Sequence, residues 1–371
     1  MKEILFASPM AETFEPVPEE ALLRELCDAF GPTGGEREVA DRILGHVSSL
    51  ADSILRDSMG NLLCLCRFGD GEERQRVMIS AHMDEVGMMV NEITEDGYLH
   101  FDTVGGIHES VMEGRRVTVA GTEGHLPGVI ASLAIHHKSA KERDQLTPTE
   151  KLYIDIGAKN REEAEALAPV GTLATFDSEF YRFGEGGRQI KAKALDDRMG
   201  CVSMILVMEE LRKNPPAGDL DLYFCFTVRE EIGRSGAKVT AERLAPDLAI
   251  VLECTAIADL PDVPENGRVA RQGEGGALSV MDRSTVYDRG FLRFALDTAK
   301  EAKIPVQLKK YVSGGNDAGN IHKTGVGVRT LALSVPTRYL HSPSCVASLE
   351  DFRNVTRLVE AMLRKLATER I

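Results

Sequence analysis

The sequence predicts an α/β fold: a mixed, mostly parallel sheet with helices on both faces, interrupted by a small inserted antiparallel β domain of barrel-like form. Three observations predict it. Runs at Arg76–Asp84, Leu222–Val228, Leu248–Cys254 and Val326–Val335 are apolar nearly throughout, as strands buried on both faces are. Segments of helical period lie between and around them. From about Asn91 to Gly187 the texture changes to short alternating stretches separated by Gly-rich turns. The division expected is residues 1–92 and 188–371 for the α/β domain and 93–187 for the insertion.

In order, residues 1–18 read as a loosely held arm. Leu22, Leu23, Leu26, Cys27 and Phe30 repeat at helical spacing, and Gly31-Pro32 ends that helix. Thr33 and Glu36 fit a capping box for a second helix, whose apolar face is Val39, Ile43, Leu44, Val47 and Leu50. Strands are expected at 53–56 and 62–68 around a Gly60-Asn61 turn, then at Arg76–Asp84. The insertion supplies Tyr98–Val104, Arg116–Ala120, Leu126–Ala131, Leu152–Ile156 and Leu173–Phe176, with one helix at Arg161–Leu167. The adjacent His136 and His137 read as a surface loop rather than as ligands.

The α/β pattern resumes at Ile190. Asp196 and Asp197 precede a helix that Pro215-Pro216 ends, and the strand into Glu230 follows. Then come a helix at Gly236–Leu244, the strand ending in Glu253, and a long Gly- and Pro-rich segment, 255–286, of the kind that shapes sites. A helix at Tyr287–Lys303, a strand at Val306–Val312, a Gly-rich turn at Ser313–Gly319, a strand at Val326–Val335 and an amphipathic helix from Leu349 to Leu366 complete the chain.

With 371 residues, 43% of them hydrophobic, the chain is long enough for more than one core. A net charge of −14 without a basic cluster argues against nucleic acid and anionic membranes as partners. No apolar run approaches the roughly 18 residues of a membrane span, and Glu12 and Glu15 spoil the start as a signal peptide. Cys27, Cys64, Cys66, Cys201, Cys225, Cys254 and Cys345 are odd in number and scattered through apolar runs, which reads as packed, reduced thiols in a cytoplasmic protein.

Polar residues with chemistry stand where buried strands end: His82 and Asp84, Asp196 and Asp197, Glu230 and Glu231, Glu253 and, in an exit loop, His341. Singly, each has an ordinary reading. The Glu pair can be a solvated turn, either Asp a helix N-cap, and His82 a hydrogen-bonded strand end. Together they occupy what should be one edge of one sheet, where open α/β sheets bind ligands. Carboxylates meeting there repel unless a cation neutralises them. Two imidazoles with three carboxylates suit a pair of borderline divalent ions, zinc or cobalt.

His82-Met-Asp-Glu-Val-Gly87, Ala194-Leu-Asp-Asp-Arg198, Arg229-Glu-Glu-Ile-Gly233, Gly314-Gly-Asn-Asp-Ala-Gly319 and Tyr339-Leu-His-Ser-Pro343 stand in the order seen in the tetrahedral, or TET-type, dimetal aminopeptidases, which the chain resembles over roughly residues 20–365. The resemblance implies a zinc-peptidase-like sheet and peptide substrates. It implies that His82 and Glu253 bind one metal, Glu231 and His341 the other, and Asp196 both. Glu230 is then the general base and acid, Asp84 orients His82, and Asp197 sits beside the bridging ligand. It also implies homo-oligomers, from dimers to tetrahedral dodecamers, assembled through the β insertion. Glu253 stands where the family usually has Asp, and Asn316 where Thr is common. Three rivals follow from the same residues: a deacylase or amidohydrolase on N-acyl amino acids, a two-carboxylate glycosidase, and a catalytically weak assembly protein of the same fold. Nothing in the sequence marks the side-chain preference.

Overall fold

The computed structural model describes residues 14–371, so most of the expected arm lies outside the described residues. Four parallel strands form the centre of an 11-stranded mixed sheet, in the order Leu220–Thr227, Gln75–His82, Leu248–Ala256 and Arg329–Arg338. Antiparallel strands flank them: Leu62–Phe68 and Ser53–Arg56 on one side, Cys345–Ser348, Gln189–Ala192 and Tyr181–Phe183 on the other.

Both faces of this centre are buried, which is why its strands lack alternation. Val77, Ile79 and Ala81 join the core formed with the helices Leu195–Lys213 and Leu349–Leu366. Met78, between them, points the other way, into a core with the helices Ser235–Leu244 and Ala318–Ile321. The last long helix shows the local logic. The Ser348 hydroxyl accepts from the Asp351 amide and caps it, while Phe352, Val355, Leu358, Val359, Met362, Leu363 and Leu366 form one buried stripe. Each such side chain stabilises the fold by about 1.5–3 kcal/mol.

The insertion is a closed six-stranded barrel, ordered Gly87–Ile93, Leu99–Val104, Tyr153–Asp155, Gly124–Ala131, Arg116–Gly121 and Leu173–Phe176. Its interior is a separate core that includes Met88, Val90, Leu99, Phe101, Val117, Val119, Ile130, Ile154 and Phe176. The barrel starts at Gly87, before the expected boundary at 93, and its last strand ends at Phe176, before 187. Met88 and Val90 are buried and Met89 is exposed, so the period of two begins just past the Glu85 turn. Gly87-Met-Met-Val looks like more of the preceding apolar strand. At the far end, Tyr181–Phe183 pairs back onto the main sheet.

The helix at Arg161–Leu167 forms as read, with the Asn160 side chain accepting from the Glu163 amide. The capping box at Thr33 does not form. The second helix, Arg37–Val47, starts from Glu36 without a side-chain cap. The Thr33 hydroxyl instead donates to Asp84 at 2.7 Å, and Glu36 accepts from the Gly34 and Arg229 amides. His136 and His137 lie exposed in a short turn and, among the described residues, join no ligand cluster.

Candidate metal centre

Strand register decides what meets. Thr227 lies opposite His82 across the parallel pair, so the two strands end level and the Glu230-Glu231 turn begins beside His82. Asp84 fastens that turn: its carboxylate accepts from the Glu230 amide at 3.0 Å, the Glu231 amide at 3.1 Å and Thr33. Asn61 holds the strand just before it, accepting from the Val228 amide at 3.0 Å and donating to the Gly236 carbonyl.

His82 is fully buried, and its Nδ1 lies 3.0 Å from the main-chain oxygen of Asp84, to which Nδ1–H donates. The Asp84 carboxylate is farther from Nδ1, at 3.5 Å. Orientation of His82 by Asp84 therefore runs through the peptide carbonyl, while the carboxylate is taken up by the turn. Nε2 of His82 faces Asp196 Oδ1 at 3.5 Å and Glu253 Oε2 at 3.6 Å. His341 repeats the pattern from the other side. Its Nδ1 is 2.8 Å from the Gly106 carbonyl, on the loop leaving a barrel strand, and its Nε2 faces Glu231 Oε1 at 3.3 Å and Asp196 Oδ2 at 3.6 Å. The barrel rim sits close to Glu231. A Cβ on Gly105, whose φ is +83°, would come within 3.2 Å of the Glu231 side chain.

Two triads able to offer ligands to a metal result, His82/Asp196/Glu253 and Asp196/Glu231/His341, sharing Asp196 through its two oxygens. Their separations of 3.3–3.6 Å exceed good hydrogen bonds. They match the roughly 3.3 Å edge between donors placed tetrahedrally at zinc bond lengths. Asp196 Oδ1 and Glu253 Oε1 are buried without a hydrogen-bond partner among the described residues. Buried oxygens are rarely left so, because an unmet acceptor is costly. The donor set therefore fits a pair of borderline divalent ions. A third cluster, Asp196/Asp197/Cys254, does not. Burial raises the Cys254 thiol well above its ordinary pKa, and its Sγ is engaged with the Leu195 carbonyl.

The charges are crowded. Burial alone would raise Asp196, but the His341 and His82 imidazoles outweigh it and hold this carboxyl well below its usual range. Burial pushes Glu230 up to about 8, with Asp317 and Glu231 adding to it. Burial opposes charge on His341, yet Asp196 and Glu231 bring it up to about 11. Glu230 takes no part in either triad. Its Oε1 accepts from Arg234 Nε at 2.8 Å, and both side chains line a cavity of about 630 Å³ with Glu231 and His341. Asp197 lies behind Asp196, capping the helix by accepting from the Gly200 amide.

The sequence reading missed Arg234, Thr33 and Asn61. Arg234 alone left a signal, an opposite charge four residues after Glu230.

The M42 glutamyl aminopeptidase profile matches residues 60–358, most of the chain. The chain belongs to the M42 aminopeptidase family. It is 35% identical to a putative aminopeptidase of Acetivibrio thermocellus, over 92% of this chain and 97% of that one. It is 30% identical both to the lysyl aminopeptidase of Pyrococcus furiosus, over 93% and 96%, and to the glutamyl aminopeptidase of Lactococcus lactis, over 94% and 97%. Among solved structures, the TET aminopeptidase of a marine sediment Thaumarchaeota archaeon superposes with a TM-score of 0.90 at 34% identity, covering 94% of this chain and 97% of that one. The Pyrococcus horikoshii TET1 peptidase, which can assemble into a tetrahedron or a large octahedral shell, gives 0.82 at 32%, covering 95% and 100%. As an M42 protein the chain is a metal-dependent aminopeptidase, a hydrolase.

Proposed function

We propose that this M42 aminopeptidase removes residues from the free N-termini of peptides using two divalent ions, zinc or cobalt. His82 and Glu253 would hold one ion, Glu231 and His341 the other, and Asp196 both. The observation that carries the reading is the pair of triads sharing the two oxygens of Asp196. When bound, such ions lower the pKa of water toward neutrality and polarise a carbonyl. The chain's own residues do the rest. Arg234 fixes Oε1 of Glu230, which leaves Oε2 to take the proton of the attacking water and hand it to the leaving amine. Asp84 holds the turn that separates this base from its neighbour Glu231.

Homo-oligomers built through the barrel are part of the reading, supported by the assembly of the Pyrococcus horikoshii relative. So is a cytoplasmic location, supported by seven buried, unpaired cysteines. No helix among the described residues is long and apolar enough to cross a membrane.

Chromogenic aminoacyl substrates, and one peptide with a free or an acetylated N-terminus, test the reading. Hydrolysis of the free forms that stops with chelator and returns with zinc or cobalt is expected. Preferential cleavage of the acetylated peptide would establish the deacylase instead. An intact oligomer inactive after metal is restored would establish the assembly protein, and activity indifferent to chelator would remove the metal mechanism.

A further inference from the structure

We infer that the cleft where the barrel meets the outer strands of the main sheet binds a phosphate group between Arg115 and Lys191. The cleft has a volume of about 520 Å³ and shares no lining residue with the cavity beside the triads. Strand alternation puts Lys191 there. On Gln189–Ala192, Ile190 and Ala192 enter the main core, so Lys191 between them takes the opposite face. Its ammonium is held in place by the Ser178 hydroxyl at 2.6 Å and the Glu179 carbonyl at 2.9 Å, and it stands 5.3 Å from the centre of the Tyr181 ring. One of its three N–H groups is left over. Lys193, two residues on, meets the Glu85 carboxylate at 2.6 Å. Lys191 has no such partner: among the described residues, no carboxylate oxygen lies within 4.0 Å of it.

Arg115 reaches the cleft from the barrel, in the turn before the strand Arg116–Gly121. Its neighbour Arg116 is answered by Asp177, at 2.8 Å from Nε. Arg115 is not. Its Nε donates to the Val111 carbonyl at 3.3 Å, and among the described residues its two terminal nitrogens make no hydrogen bond and no ion pair within 4.0 Å. Glu179 also lines the cleft, exposed and bonded to neither cation. Burial holds the Lys191 ammonium below its ordinary pKa and the Arg115 charge adds to that, against the opposing pull of Glu179 and Asp177. Two like charges facing one cleft are eased by an anion between them. The guanidinium offers a planar fork of donors that matches phosphate oxygens, Lys191 offers a point charge, and the Ser344 hydroxyl on the same rim adds a donor. A phosphate ester brings about −1.5 to −2 charge and three acceptor oxygens. A carboxylate brings one charge and two oxygens, too few for both cations and the hydroxyl.

The test titrates inorganic phosphate, AMP and acetate into the metal-loaded protein by calorimetry at constant ionic strength. Phosphate that reaches the metal centre does so in every variant, so comparison with Arg115→Gln and Lys191→Met isolates the cleft. The wild type should bind one phosphate more than the double variant Arg115→Gln/Lys191→Met. Each single variant should weaken that event by about tenfold or more, the worth of a hydrogen bond to a charged group, and acetate should occupy the cleft at least about tenfold less tightly than phosphate. AMP separates the two sources of the group: binding as tight as phosphate or tighter marks a phosphate ester, and much weaker binding marks the free ion. Arg115→Gln removes only a bond to the Val111 carbonyl from within the protein, so its aminoacyl turnover without phosphate should match the wild type and show it folded, whatever Lys191→Met does to the strand. Superimposable phosphate titrations of the wild type and Arg115→Gln would overturn the inference, and so would acetate bound in the cleft as tightly as phosphate.

Discussion

Glu230 and Glu231 are neighbours in sequence with different surroundings. Glu231 faces the imidazole of His341, and Glu230 is tied to the guanidinium of Arg234. Replacing Glu230 with Gln keeps the shape and removes the proposed proton acceptor. Glu230→Gln should retain the metal content of the wild type and lose about 10²- to 10⁴-fold in kcat. Elemental analysis beside turnover checks it, and near-normal turnover would falsify the assignment of the base. Asp84→Asn puts an NH2 group where one of the Glu230 and Glu231 amides needs an acceptor. Activity or metal affinity should fall about 10- to 100-fold, as when other supporting partners of metal ligands are lost. An Asp84→Asn enzyme that binds metal and turns over normally would show that the turn holds without it. His82, Glu230 and Glu253 were legible as candidates because each ends a run that is otherwise apolar. Thr33 was not, because a hydroxyl in a turn is ordinary on any surface, and Arg234 left only its spacing from Glu230.

At the scale of elements, the parallel centre was legible because burial on both faces removes alternation, and Val77, Met78 and Ile79 divide between two cores accordingly. The start of the barrel was not, since Met88 and Val90 extend an apolar stretch without a break in composition. What joins the two sheets is polar and buried. Arg198, at the start of the Leu195–Lys213 helix, is fully buried and donates to the carbonyls of Met83, Leu26, Ala29 and Gly31, and to Glu85. Lys193 binds the same Glu85 carboxylate at 2.6 Å, and Thr175 of the barrel donates to its other oxygen. Arg198→Met keeps much of the volume and leaves those acceptors unmet. It should destabilise the fold by about 3–5 kcal/mol, the range for breaking a buried ion pair from one side. Denaturant unfolding at fixed protein concentration measures it, and a loss below about 1 kcal/mol, the scale of an exposed pair, would place the joint elsewhere.

Across the whole molecule, the cysteines report how completely the cores close. Burial pushes Cys27 and Cys64 up to about 12 and Cys66 and Cys345 up to about 11, and it raises Cys201, Cys225 and Cys254 as well. A thiol reacts as its thiolate. At pH 8 the native protein should resist alkylation at all seven positions, and the unfolded chain should take up seven labels, as counted by intact mass. Rapid labelling of the native state would show a core more open than the fold described. The central claim concerns the cations that let buried acids share one place. Anomalous diffraction from crystals of the zinc-loaded protein tests it most directly. The account predicts two peaks, one within reach of His82, Asp196 and Glu253 and the other of Asp196, Glu231 and His341. A single peak, or zinc held away from Asp196, would contradict it.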